Sequence, residues 1–310
     1  MHKCKWILTV VGLCLNLSGC WSSDSNSRSK QDGKWKTISG SPTNGASTSS
    51  DNGNTETKSD LDIKGGGFMA NLPVGFTQPS DDVGRKLLKE YGSVFVAKGG
   101  ATSPNTVVFR DEREVTAFQT GVSKSAETVG GVSVELQSVA LKALKEAASE
   151  ASQSGVSITP RGADAAKRTY QDTVGLWASR VDPGLSHWAA NGRVTAADAQ
   201  RIRALSPFEQ VPEIFKLEAQ GIYFSKDLSK SIIYSVAPPG SSQHLSMLAL
   251  DVSEHDNSKV RGILAKHGWF QTVVSDLPHF TFLGATENDL PKLGLKKVSD
   301  GGRIFWVPAM

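Results

Sequence analysis

An α+β fold, with a central, mainly antiparallel sheet and flanking helices, is the architecture this sequence predicts. Three observations point to it. From residue 67 onward, stretches with apolar residues at helical spacing are interspersed with short runs of β-branched and aromatic residues. Several of those runs alternate in character, as a sheet with one covered face requires. All three cysteines, Cys4, Cys14 and Cys20, precede this region. The fold therefore rests on an ordinary core rather than on disulfides, and any metal site must be built from His, Asp and Glu. The formal charge of +3 over 310 residues is modest and spread along the chain, which gives nucleic acid no support as a partner.

The chain begins with a basic start, His2-Lys3-Cys4-Lys5, and an apolar run over residues 6–15. That run is too short to cross a bilayer as a mature helix and suits the core of a signal peptide. It ends in Leu17-Ser18-Gly19-Cys20, which resembles a bacterial lipobox. The resemblance implies removal of residues 1–19 and lipid modification of Cys20, so that the protein is expected in the cell envelope, anchored to a membrane on its periplasmic or extracellular face. Residues 20–66 are dominated by Ser, Asn, Asp, Gly, Thr and Lys. Such a composition buries too little surface to offset chain entropy, and a flexible tether is expected.

Residues 67–135 are expected to form the N-terminal part of the globular region, without a readable role, and residues 136–310 its functional core. Within the first part, residues 81–91 predict a helix, residues 93–97 and 106–109 strands, and residues 112–120 a helix. A longer helix is predicted over 135–152 from Leu136, Val139, Leu141, Leu144 and Ala147. A strand at 156–159 leads to Pro160-Arg161-Gly162, and a helix at 163–180 ends at Asp182-Pro183-Gly184. A helix at 196–205 is capped by Thr195. Strands are expected at 231–236, 248–252, 269–274 and 279–283, with an amphipathic helix at 257–267 closed by Gly268. A turn at Gly301-Gly302 precedes a closing strand.

The chemistry concentrates between Ser241 and Gly284. Ser242-Gln243-His244 is followed by Asp251, then by Asp276-Leu277-Pro278-His279-Phe280. Two imidazoles and a carboxylate can supply three ligands to Zn²⁺ and leave a fourth position for water. Asp276, three residues before His279, is placed to act as the general base on that water. The odd separation of His244 and Asp251 requires His244 to come from the loop ahead of the strand that carries Asp251.

These motifs resemble the zinc peptidases of bacterial cell walls, the group of VanY-type D-alanyl-D-alanine carboxypeptidases and L-alanoyl-D-glutamate endopeptidases. The resemblance covers residues 136–284. It implies a zinc site at the sheet edge held by His244, Asp251 and His279, with Asp276 as catalytic base. It also implies substrate contacts from Ser242 and from Arg161, the latter toward a substrate carboxylate, and peptidoglycan stem peptides as the partner of a monomeric enzyme. The chain departs from the family at Met247, where glycine is common, and in carrying Asp-x-Pro-His in place of Glu-x-Trp-His. A D-Ala-D-Ala carboxypeptidase is the first expectation. The alternatives are an L-alanoyl-D-glutamate-type endopeptidase and a non-catalytic wall-binding lipoprotein with a degenerate site. Arg168 and Arg180 read as solvated helix-face residues, and His187, His255 and His267 as loop or helix-end residues.

Overall fold

The computed structural model describes residues 67–310, all within one compact unit, Lys58–Met310. The signal peptide expected at 1–19, the lipidation of Cys20 and the tether to residue 66 lie outside the described residues. The class is α+β, but the strands form small separate antiparallel sheets rather than one central sheet.

Helix α1 (Asp82–Tyr91) starts where the Asp81 carboxylate accepts the Gly84 N–H at 2.8 Å, and it buries Leu87, Leu88 and Tyr91. Each such leucine contributes about 1.5–3 kcal/mol of burial. The strand expected at 93–97 is instead a 3₁₀ turn, Gly92–Val96, with every residue buried. A short continuous apolar run reads the same whether it is a strand or a buried turn. Residues 106–109 make one bridge, Thr77 to Thr106, and no strand. Helix α2 (Glu112–Gly121) is capped by Asp111.

Strands β1 (Lys124–Val129) and β2 (Val132–Gln137) form a hairpin, so Leu136 belongs to a strand and helix α3 (Ser138–Gln153) starts later than its apolar stripe suggests. Gly130 and Gly131 have φ of 56° and 83°, which the two-residue turn requires. The stretch 156–159 forms no strand; the Thr159 carbonyl accepts the Ser253 N–H at 2.8 Å and the next residue, Pro160, bridges to Val252. Helix α4 (Tyr170–Ala190) begins at a Thr169–Asp172 capping box, later than expected, and runs through Pro183 to Ala190. Tertiary packing overrides the expected stop, because Trp177, Val181, Gly184 and Leu185 are all buried. Gly184 lies so close to Phe224 that a Cβ would approach its ring to 2.5 Å. Helix α5 (Ala196–Ala204) has the Thr195 cap as expected. Helix α6 (Pro207–Glu218), which the apolar pattern does not announce, starts at a Ser206–Glu209 capping box.

The strand expected at 231–236 is a 3₁₀ turn, Ile232–Tyr234, because the Ile232 N–H is taken by Glu218 Oε1 at 2.6 Å and cannot join a ladder. A three-stranded sheet follows, with β3 (Ala249–Asp251) and β4 (Trp269–Phe270) flanking β5 (His279–Phe282), and with α7 (Ser258–Lys266) between β3 and β4 in the chain. Beyond Phe270, Trp306 N–H bonds the Gln271 carbonyl, so the expected strand to 274 is short. The chain closes with the hairpin β6 (Leu295–Asp300) and β7 (Arg303–Pro308) across Gly301-Gly302.

One core unites early and late residues, with Phe68, Leu87 and Val96 packed in the same cluster as Leu136, Leu144, Leu250, Phe280 and Trp306. A second cluster, around Trp177, Leu185, Ile214 and Phe224, is formed by α4, α5, α6 and the segment that follows α6.

Gly240 joins these parts ahead of the candidate site. Its φ is 76°, its carbonyl accepts Phe109 N–H at 3.0 Å and its N–H bonds Thr173 Oγ1 at 3.2 Å. A Cβ there would lie 1.8 Å from the Phe109 carbonyl oxygen. Gly240→Ala is expected to cost at least about 2 kcal/mol, from left-handed strain and this overlap. Urea unfolding measures it, and an unchanged midpoint would contradict the packing described.

Candidate metal centre

His244 sits in a short 3₁₀ turn, Gln243–Ser246, just ahead of β3. Buried glutamines hold this turn. Gln119 Nε2 donates to the Leu245 carbonyl at 3.1 Å and Gln137 Nε2 to the Ser246 carbonyl at 2.8 Å. Met247 ends the turn at φ 58°, fully buried. Asp251 ends β3 and pairs in register with His279 at the start of β5. A cross-strand pair shares one face of a sheet, with Cβ atoms about 4.5–5.5 Å apart. The turn then brings His244 over that pair, as the odd separation of His244 and Asp251 demands.

Three donor atoms converge. His279 Nδ1 lies 3.2 Å from His244 Nε2 and 3.3 Å from Asp251 Oδ1, and His244 Nε2 lies 3.4 Å from Asp251 Oδ1. Ligands about 2.0–2.1 Å from a tetrahedral metal ion are separated by about 3.3–3.4 Å. The triangle therefore has the size of one face of such a coordination shell. Both histidines are buried and Asp251 is nearly so.

Hydrogen bonding fixes which nitrogens are bare. His244 Nδ1 is 2.6 Å from the Ala166 carbonyl, so it must carry the proton. His279 Nε2 is 2.8 Å from Gln243 Oε1. The Gln243 amide cannot be flipped, because its Nε2 donates to the Tyr91 carbonyl at 2.8 Å. Its oxygen also receives Thr281 Oγ1 and, at 3.3 Å, Thr272 Oγ1. His279 Nε2 is thus the donor and Nδ1 the bare nitrogen. Two lone pairs and a carboxylate oxygen face one another, an arrangement that a cation relieves.

The charge states agree with ligation. Burial pushes the His244 imidazole down, which keeps it neutral against the opposing pull of Asp251. Burial alone would raise the Asp251 carboxyl, and a positive charge at the imidazole side of the triangle opposes that and holds it well below the usual carboxylate range. Arg168 donates to Asp251 Oδ2 at 3.0 Å and leaves Oδ1 for the triangle. Each of the three donors is therefore oriented by a partner on its far side, as metal ligands commonly are. His244, Asp251 and His279 form a group able to hold a metal ion.

No family model, curated protein or solved structure matches this chain. The reading of the site rests on its geometry.

A cavity of about 220 Å³ opens onto both imidazoles. Ser242 and Asp276 line it, along with Tyr91, Arg168 and Arg180. Asp276 stands in the turn before β5, where its carbonyl accepts the His279 N–H at 3.2 Å, and it is exposed. Burial raises the Tyr91 phenol well above its ordinary range, and the charges of Glu90 and Asp276 add to that, so Tyr91 faces the cavity neutral.

Arg161 is not brought to the cavity. Its N–H bonds the Asp251 carbonyl at 3.0 Å, which helps fix β3, but the residue is exposed. Arg168 and Arg180, read from the sequence as solvated helix-face residues, occupy the wall instead. The sequence signal that identifies Arg168 is the capping box immediately after it, which puts the helix start at Tyr170 and leaves Arg168 in the preceding loop. Gln243 was also missed, since an amide between a serine and a histidine carries no signature of its own.

Replacing Gln243 with leucine keeps its volume and removes the acceptor for His279. Gln243→Leu is expected to weaken metal binding about 10–100-fold, measured by competition with a chromophoric chelator on protein verified as folded by circular dichroism. Unaltered affinity would remove Gln243 from the site.

Proposed function

We propose that this chain is a zinc-dependent peptidase that hydrolyses peptidoglycan stem peptides. The observation that carries the proposal is the triangle of His244 Nε2, Asp251 Oδ1 and His279 Nδ1, with edges of 3.2–3.4 Å. Two imidazoles and one carboxylate suit zinc, and three protein ligands leave a coordination position open, as catalytic rather than structural zinc sites do. When bound, zinc supplies Lewis acidity and makes a coordinated water acidic near neutral pH.

The chain's own residues then have separable tasks. Arg168 and the Ala166 carbonyl orient Asp251 and His244, and Gln243 orients His279. Asp276, on the cavity wall beside His279, accepts the proton of the attacking water and returns it to the leaving amine. It is exposed and open to solvent. Ser242, buried at the cavity wall next to Gln243, contacts the bound peptide.

The motif likeness to cell-wall zinc peptidases supports stem peptides as the substrate, and Leu17-Ser18-Gly19-Cys20 fits delivery to the envelope on a membrane anchor. The departure at Met247 is compatible with an intact site. The residue adopts the left-handed conformation that glycine accepts freely. An L-residue there costs about 1–2 kcal/mol, and full burial of the Met247 side chain offsets it.

Digestion of purified muropeptides by zinc-loaded protein, followed by mass analysis, tests the proposal. Metal-dependent cleavage is expected, and Asp276→Asn should retain stoichiometric metal while losing at least about 100-fold in kcat. An unchanged digest at saturating zinc would overturn the peptidase reading. Loss of metal in Asp276→Asn would make Asp276 a ligand instead of the base.

A further inference from the structure

The cavity carries a cation that forms no ion pair among the described residues. Arg168 is spent on Asp251. Arg180, seven residues beyond Thr173 on the same face of α4, also faces the cavity, and among the described residues it forms no ion pair.

Arg180 is nonetheless held in place. Its Nε donates to Ser235 Oγ at 2.8 Å, which ties it to the opposite wall. Its Nη1 donates to Ser179 Oγ at 3.0 Å and to the Ser179 carbonyl at 3.3 Å. That carbonyl is the one Pro183 leaves without a helical partner, because proline has no N–H to return to the residue four before it. The proline inside α4 thus frees an acceptor that helps aim the guanidinium. Among the described residues Nη2 makes no bond, and it remains for a ligand.

The flanking walls are apolar. Leu176, one turn before Arg180 on α4, and Tyr234, on the facing segment, are both exposed and both line the cavity. A fixed guanidinium at one part of a cleft, apolar side chains beside it and a metal-binding group at another part select a ligand with an anionic group, a short apolar stretch and a polarisable carbonyl.

We infer that Arg180 is the carboxylate-recognising residue of this cavity, so that its substrates are peptides bearing a free carboxylate close to the cleaved bond. The inference rests on the peptidase reading for the word substrate, but the binding it describes is independent of turnover. The carboxylate can belong to the chain terminus or to a branch, as the α-carboxylate of a γ-linked D-glutamate does.

The test is calorimetric titration of zinc-loaded Asp276→Asn protein with two matched pairs of probes. One pair is diacetyl-L-Lys-D-Ala-D-Ala as the acid and as the C-terminal amide. The other is L-Ala-γ-D-Glu-L-Lys with its glutamate α-carboxylate free or amidated. In at least one pair the acid is expected to bind about 10–100-fold more tightly than its amide, as expected for a bidentate charge-assisted contact. The pair that discriminates identifies the source of the carboxylate. Arg180→Ala, made in the same background, should abolish the preference by weakening the acid alone, and Arg180→Lys should restore part of it. A merely structural role would weaken acid and amide equally and would overturn the inference, as would failure of both acids to bind. Should muropeptides go uncut while the acid preference stands and vanishes with Arg180→Ala, the peptidase reading falls and the carboxylate site does not.

Discussion

Mutual repulsion among three electron-rich atoms is the constraint on which the site depends. His244 Nε2, His279 Nδ1 and Asp251 Oδ1 point at one another within 3.4 Å. Neither imidazole can turn its proton inward, because the Ala166 carbonyl and the Gln243 amide oxygen claim both N–H groups from outside. Much of the surrounding fold serves to keep that arrangement. The Tyr91 carbonyl at the end of α1 sets the Gln243 amide, buried glutamines pin the turn that carries His244, and the register of β3 on β5 sets Asp251 against His279. A buried, preorganised set of unsatisfied acceptors is costly in the free protein and favourable once a cation enters.

The separation of roles between two arginines follows from the same constraint. Arg168 donates to the outer oxygen of Asp251, so its charge is spent on that half-buried carboxylate. Arg180 is therefore the cation left to address a ligand, and its anchoring by Ser235 and by the carbonyl that Pro183 frees keeps it in the wall instead of solvent. A proline within a helix, costly in isolation, contributes to the chemistry of the cleft.

The site was more legible in the sequence than the fold around it. His244, Asp251 and His279 could be picked out because ligand types at characteristic spacings are a local signal, and the odd separation of the first two already required a turn before the strand. The helices with clear caps, at Asp81, Thr195 and Asn257, lie where their sequences put them. The apolar run Ser93–Ala97 reads as a strand but is a buried turn, since burial on all sides erases periodicity, and Ser231–Val236 reads as a strand but turns where Glu218 takes the Ile232 N–H. The central sheet dissolved for these reasons. Arg161 stands out in the sequence because it follows a helix and a strand in the order the resemblance implies, whereas a helix read from residue 163 puts Arg168 on a solvated face; the Thr169–Asp172 capping box places it in the loop before α4 instead. Gln243 and Arg180 depend on partners more than fifty residues away, the Tyr91 carbonyl and Ser235, which no local pattern can reveal.

The most direct measurement of the central claim is X-ray absorption at the zinc edge on purified protein, paired with metal content. The account predicts one zinc per chain in a four-coordinate shell of nitrogen and oxygen at about 2.0–2.1 Å, with two imidazole ligands that fall to one in His279→Ala. Absence of stoichiometric metal after zinc loading, or a shell indifferent to His279, would contradict it.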